Sequence, residues 1–218
     1  RRVRGDHTGA VQLLEEAVAR FPGDARINDL RYDLADSYRQ DARGITASLS
    51  EGMPDQRKQA LRQARVERLN SAGTWFDRVR RSLEAKDPRS LTRLEQMELR
   101  NSYFYLGDCA FDLGEYETAI HHYDTAREKY PKDPASLVAM IQIVNAYLEM
   151  GDAKRAETAN NRAKAFYASL PESVWADPDL PMDKDDWQRW LDAMSRLRPA
   201  DRGSATAPDA GGGGGSDH

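Results

Sequence analysis

Small and large side chains recur in step along this chain. Ala119, Tyr123, Ala126 and Pro131 stand 5, 9, 12 and 17 residues after Gly114. The same offsets from Gly5 reach Ala10, Leu14, Ala17 and Pro22, and from Gly151 they reach Ala156, Asn160, Ala163 and Ala168. The last unit keeps both alanines, while its proline comes later, at Pro171. Each position has a physical reason. A glycine ends a first helix where the backbone must turn left-handed. The two alanines share one face of a second helix and let it approach its neighbour closely. The larger residue between them fills the next gap, and the proline stops the helix.

The same pattern predicts the remaining elements. Leu34, Ala35 and Tyr38 mark another first helix, with Ala42 at the glycine position. The segment Gly44 to Asp55, with Gly44, Gly52 and Pro54, reads as an inserted connection. A long helix follows from Gln56 to about Lys86, where Ala72, Phe76 and Val79 copy the spacing. The next first helix is expected from about Ser90 to Leu113. Asp87-Pro88 and Asp133-Pro134 suit helix starts, with aspartate as cap and proline in the first turn. Asp183 and Asp186 are placed to cap a helix carrying Trp187, Trp190, Leu191, Met194 and Leu197 as one apolar stripe. Such a helix can cover the last unit of a repeat array. Pro171 to Pro181 is its expected extended lead-in, with Trp175 pinned on the array.

The unit from Asn101 to Lys132 contains Leu106, Gly107, Gly114, Tyr116, Ala119, Tyr123, Ala126 and Pro131, and it resembles the tetratricopeptide repeat family. It departs at Ala110, where the family often has a large aromatic. The resemblance implies an all-α fold: a right-handed superhelical array of antiparallel helix pairs, with a long inserted helix and a C-terminal capping helix. The expected divisions are 1–23, the second half of a truncated repeat; 24–86, a repeat with the insertion and long helix; 87–133, the best-matching repeat; 134–170, the last repeat; 171–198, lead-in and cap; and 199–218, a Gly-rich tail expected to be disordered. Gly5 falls where a first helix should already be ending, so the chain is expected to begin inside a repeat.

In this family the first helices line a concave groove. Carried over, the resemblance implies a wall of Tyr32, Asp36 and Arg39, then Phe104, Asp108 and Phe111, then Ile141, Asn145 and Leu148. Aromatic and polar residues side by side suit peptide binding, although Phe104 and Phe111 equally suit packing against neighbouring helices. The carboxylate clamp of some members is not expected here, because Asp36 and Asp108 oppose Arg39 and Asn145.

Composition narrows the functions further. Hydrophobic residues make up 39% and charged residues 31% of the 218, with a net charge of -4. That suits amphipathic helices with long solvated faces and supplies no global basic field for nucleic acid. Positive charge does gather between Asp55 and Arg100, where scattered ion pairs on a solvated face are the plain alternative to an acidic, lipid or RNA partner. The single cysteine, Cys109, allows no intrachain disulfide and reads as a small buried hydrophobe. Glu117 and His121 stand four apart, with His122 beside them, but no third ligand follows. No phosphate loop, nucleophile elbow or dinucleotide fingerprint is present. No cofactor is expected.

The leading expectation is a non-catalytic scaffold that holds a protein or peptide. The alternatives are an accessory module positioning substrate for a larger enzyme, and nucleic-acid binding through residues 55–100. Phe21-Pro22 shortly after Ala17 gives the array a further resemblance to bacterial outer-membrane assembly lipoproteins. That resemblance implies the cell envelope, with the cytoplasm as the alternative, and membrane contact only through an N-terminal anchor upstream of Arg1.

Overall fold

The structure, a computed structural model, describes residues 7–176 and 182–194. Gly5, Leu197, the end of the lead-in and the tail 199–218 lie outside the described residues. Among the described residues the chain is all-α and folds as a tetratricopeptide-like helical repeat. Its helices are α1 (His7–Arg20), α2 (Ile27–Ser48), α3 (Asp55–Glu84), α4 (Arg93–Leu113), α5 (Tyr116–Lys129), α6 (Ala135–Glu149), α7 (Ala153–Ser169) and α8 (Lys184–Met194). Short 3-10 turns cover Pro88–Ser90 and Glu172–Ala176. No described helix is long and apolar enough to cross a membrane.

Two compact units result, one from α1 to α4 and one from α5 to α8. In the first, consecutive helices pack on each other and α2 also meets α4; in the second, α5, α6, α7 and α8 pack in order. The recurring small residues sit where the helices touch. Ala72, Ala119, Ala126 and Ala163 have no exposed surface, and Phe76 and Tyr123 fill the gaps between them. On α3 the buried stripe runs Leu69, Ala72, Phe76, Val79 and Leu83, one residue per turn. Each large member of such a stripe stabilises the fold by roughly 1.5–3 kcal/mol.

Gly114 and Gly151 carry positive φ angles of 79° and 76°. Around Gly114 the Glu115 amide donates to the Ala110 carbonyl and the Gly114 amide to the Phe111 carbonyl, both at 2.9 Å. Asp152 and Gly151 repeat this on Tyr147 and Leu148. Both helices thus close in the Schellman arrangement that favours glycine.

Two expected boundaries are corrected. Gly44 does not open a connection, because α2 continues to Ser48. The extension lies along the N-terminal half of α3, where Arg68 Nε pairs with Asp41 Oδ2 at 2.8 Å and Arg65 Nε donates to Thr46 Oγ1 at 2.8 Å. These contacts act against the roughly 1 kcal/mol that a mid-helix glycine costs. Asp87-Pro88 opens only the 3-10 turn; α4 starts at Thr92, whose Oγ1 accepts from the Glu95 amide at 3.2 Å while Glu95 Oε2 accepts from the Thr92 amide at 2.9 Å. This reciprocal capping box satisfies two free amides at once. Asp133 does cap α6, accepting from the Ala135 amide at 2.9 Å.

At the other end, Asp183 Oδ1 accepts from the Asp186 amide at 2.8 Å and starts α8. Trp187 and Leu191 are fully buried against Leu137, Ile141 and Ala163, with Trp175 and Trp190 packed around them. Asn160 takes the position that Phe76 and Tyr123 hold in other second helices. It is buried and donates to the Leu191 carbonyl at 3.1 Å, so this departure from the register reads the backbone of the cap.

Candidate protein-binding site

The expected wall residues divide between the two units. On α2 and α4 they face each other. Asn101 Nδ2 donates to the Tyr32 hydroxyl at 3.0 Å. Arg39 is 2% exposed. It pairs with Asp36 at 3.3 Å and Asp108 at 3.6 Å, and its guanidinium lies 4.0 Å from the Tyr105 ring centroid. Tyr32 also meets Phe76 edge-on at 5.7 Å. Burial pushes the Tyr32 and Tyr105 hydroxyls up. A buried cation needs such partners, since removing them leaves its desolvation uncompensated.

The expected open wall is therefore corrected at Tyr32, Arg39 and Phe104, all buried. Complementary groups on α2 and α4 satisfy one another instead of a guest. Ile141 is also corrected: it is fully buried, because α8 covers that part of α6. Asp36, Asp108, Phe111, Asn145 and Leu148 keep partial exposure. Asn145 Nδ2 donates to Gln142 Oε1 at 3.0 Å.

One part of the wall escaped the sequence reading. Stepping back from Phe111 through Asp108, Phe104 and Asn101 in alternating threes and fours leads to Met97 and Leu94, on the same face of α4. These two apolar side chains are 41% and 47% exposed. The signal was the same periodicity, continued nearly three turns from Phe104 toward the capping box.

The other candidates resolve plainly. Cys109 is buried and free, and burial pushes its thiol up, so it is held as an unreactive thiol. The His121 and His122 rings lie 6.0 Å apart and tilted. Among the described residues no group of three His, Cys, Asp or Glu side chains is placed to hold a metal. Between residues 55 and 100, much of the positive charge is engaged. Arg80 bridges Asp77 at 2.7 Å and Glu84 at 2.6 Å, Arg81 reaches Asp77 at 2.7 Å, and Lys86 reaches Glu95 at 2.5 Å. Arg78 lies over the Trp75 ring at 4.7 Å.

Helices that pack in order through buried alanines, with an amphipathic helix covering the last pair, define a helical-repeat protein. The family model of the tetratricopeptide repeat matches residues 98–169. Over that stretch, about a third of the chain, the sequence is similar to the tetratricopeptide repeat. No curated protein matches the chain. Repeats of this family commonly mediate protein–protein interactions and are typically non-catalytic modules.

Proposed function

We propose that the protein is a non-catalytic scaffold that binds a protein or peptide partner along the first-helix face of α4. The observation that carries this reading is the exposed pair Leu94 and Met97, in line with Asp108 and Phe111 on one face. Exposed apolar side chains beside polar ones are what a binding surface uses as anchors.

The test is a pull-down from native lysate comparing the full chain with a Leu94→Asp, Met97→Asp variant. Both side chains are exposed, so the variant should keep its helical circular dichroism and melting temperature. The expected result is a partner that is captured by the natural chain and lost with the variant. Identical partner sets would remove α4 as the binding face.

A further inference from the structure

A second surface lies on a different face of α6. Met140, Ile143 and Tyr147 project from α6 into a cleft of about 220 Å³, walled by α5 through Asp124 and Arg127 and by α7 through Arg155, Thr158, Ala159 and Arg162. The floor is apolar, since Met140, Ile143 and Ala159 are 9%, 6% and 8% exposed. The rim is basic, with three arginines and one aspartate among the lining residues, on a chain whose net charge is -4.

The three arginines are not equivalent. Arg127 Nε pairs with Asp124 at 2.6 Å. Arg155 Nε pairs with Asp152 at 2.6 Å, and its guanidinium lies 4.9 Å from the Tyr147 ring centroid. Arg162, two turns further along α7 on the same stripe, is exposed and carries no ion pair or hydrogen bond among the described residues. An unpaired guanidinium beside an apolar socket matches a carboxylate next to an apolar side chain, because the planar fork takes both carboxylate oxygens.

We propose that this cleft docks an acidic protein segment: one apolar side chain seats on Met140, Ile143 and Ala159 while a neighbouring glutamate or aspartate pairs with Arg162. The size favours a single side chain, being below the roughly 300–1,000 Å³ of small-molecule pockets. Nucleic acid fits less well. Tyr147 is already covered by Arg155, so no free aromatic ring offers a stacking platform, and Asp124 on the rim repels a polyanion. The cleft uses none of the first-helix residues proposed above, so the two readings stand or fall separately.

The test is fluorescence anisotropy on the full chain. The probe is a fluorescein-labelled alanine-based peptide with one leucine and a glutamate one helical turn to either side. The expected result is saturable binding that weakens about tenfold or more with Arg162→Glu, falls with added salt, and is lost when the glutamates become glutamine or the leucine becomes serine. Arg162→Gln serves as a second variant and should weaken binding in the same direction. The Leu94→Asp, Met97→Asp variant should bind the peptide normally. Absence of saturable binding at low salt, or binding by both Arg162 variants as tight as by the natural chain, would overturn the proposal. So would Arg162-dependent binding of a single-stranded RNA or of phosphatidylserine vesicles in place of the peptide.

Discussion

Two charged side chains buried in the first unit are treated in opposite ways. Arg39 is enclosed by Asp36, Asp108 and the Tyr105 ring, so its charge is kept. Glu98 on α4 is equally buried, at 2% exposure, but its Oε2 has no hydrogen-bond partner among the described residues. Burial, followed by the like charges of Asp29, Asp33 and Glu95, raises its pKa from the ordinary 4.5 to about 8, with Lys86 opposing weakly. The folded chain therefore keeps this proton up to about pH 8, while the unfolded chain releases it near 4.5. Between those values unfolding releases a proton, so this group lowers stability as pH rises from about 4.5 toward 8 and adds no further slope above that. Glu98→Gln, which mimics the protonated form, should flatten that part of the profile and melt higher than the natural chain at pH 8 and above. Thermal melts of both proteins across the window check this. Parallel curves would show that Glu98 is ionised in the fold.

At the scale of the helices, two glycines make opposite predictions. Gly114 sits at φ 79°, where a Cβ is strained whatever the space around it. Gly44 lies inside α2 on an exposed face, with nothing within 4 Å of an added Cβ. Gly114→Ala should therefore cost about 1 kcal/mol, and Gly44→Ala should add roughly 0.5–1 kcal/mol. Urea denaturation of the two variants measures both, and a shared sign would contradict one of the two backbone assignments. The pair also shows what the sequence could reveal. Gly114 was legible because its role is local: it follows an apolar run and precedes a fresh helix. Gly44 misled because its helix is held by partners far along the chain, Arg65 and Arg68 on α3. The candidate site follows the same division. Periodicity placed Tyr32, Arg39, Phe104 and Ile141 on the correct helices, and it carries no information about what covers them. Closure of α2 on α4 depends on Arg39 meeting Asp108 and Tyr32 meeting Asn101, pairings between helices more than sixty residues apart in sequence. Leu94 and Met97 were readable by the same periodicity, since both fall inside the helix expected from about Ser90 to Leu113.

For the whole molecule, the order of packing decides how a local loss spreads. In a repeat array each element is stabilised by its neighbours, so damage at one end need not melt the other. Trp187 is fully buried at the centre of the cluster formed by α6, α7 and α8. Its removal takes away the largest side chain in that cluster and leaves Leu137, Ile141 and Ala163 facing a void. Trp187→Ala should cost about 3–5 kcal/mol. Its indole Nε1 has no hydrogen-bond partner among the described residues, so Trp187→Phe, which keeps an aromatic ring and removes that N–H, should cost clearly less. Hydrogen exchange separates a local loss from a global one. If the two compact units respond independently, amides of α6, α7 and α8 exchange faster in Trp187→Ala while those of α2, α3 and α4 keep their protection. Equal acceleration in both units would show a single cooperative block. In that case a ligand bound in the α5–α7 cleft would also stabilise α2 to α4, whereas independent units would confine its effect to the second half of the chain.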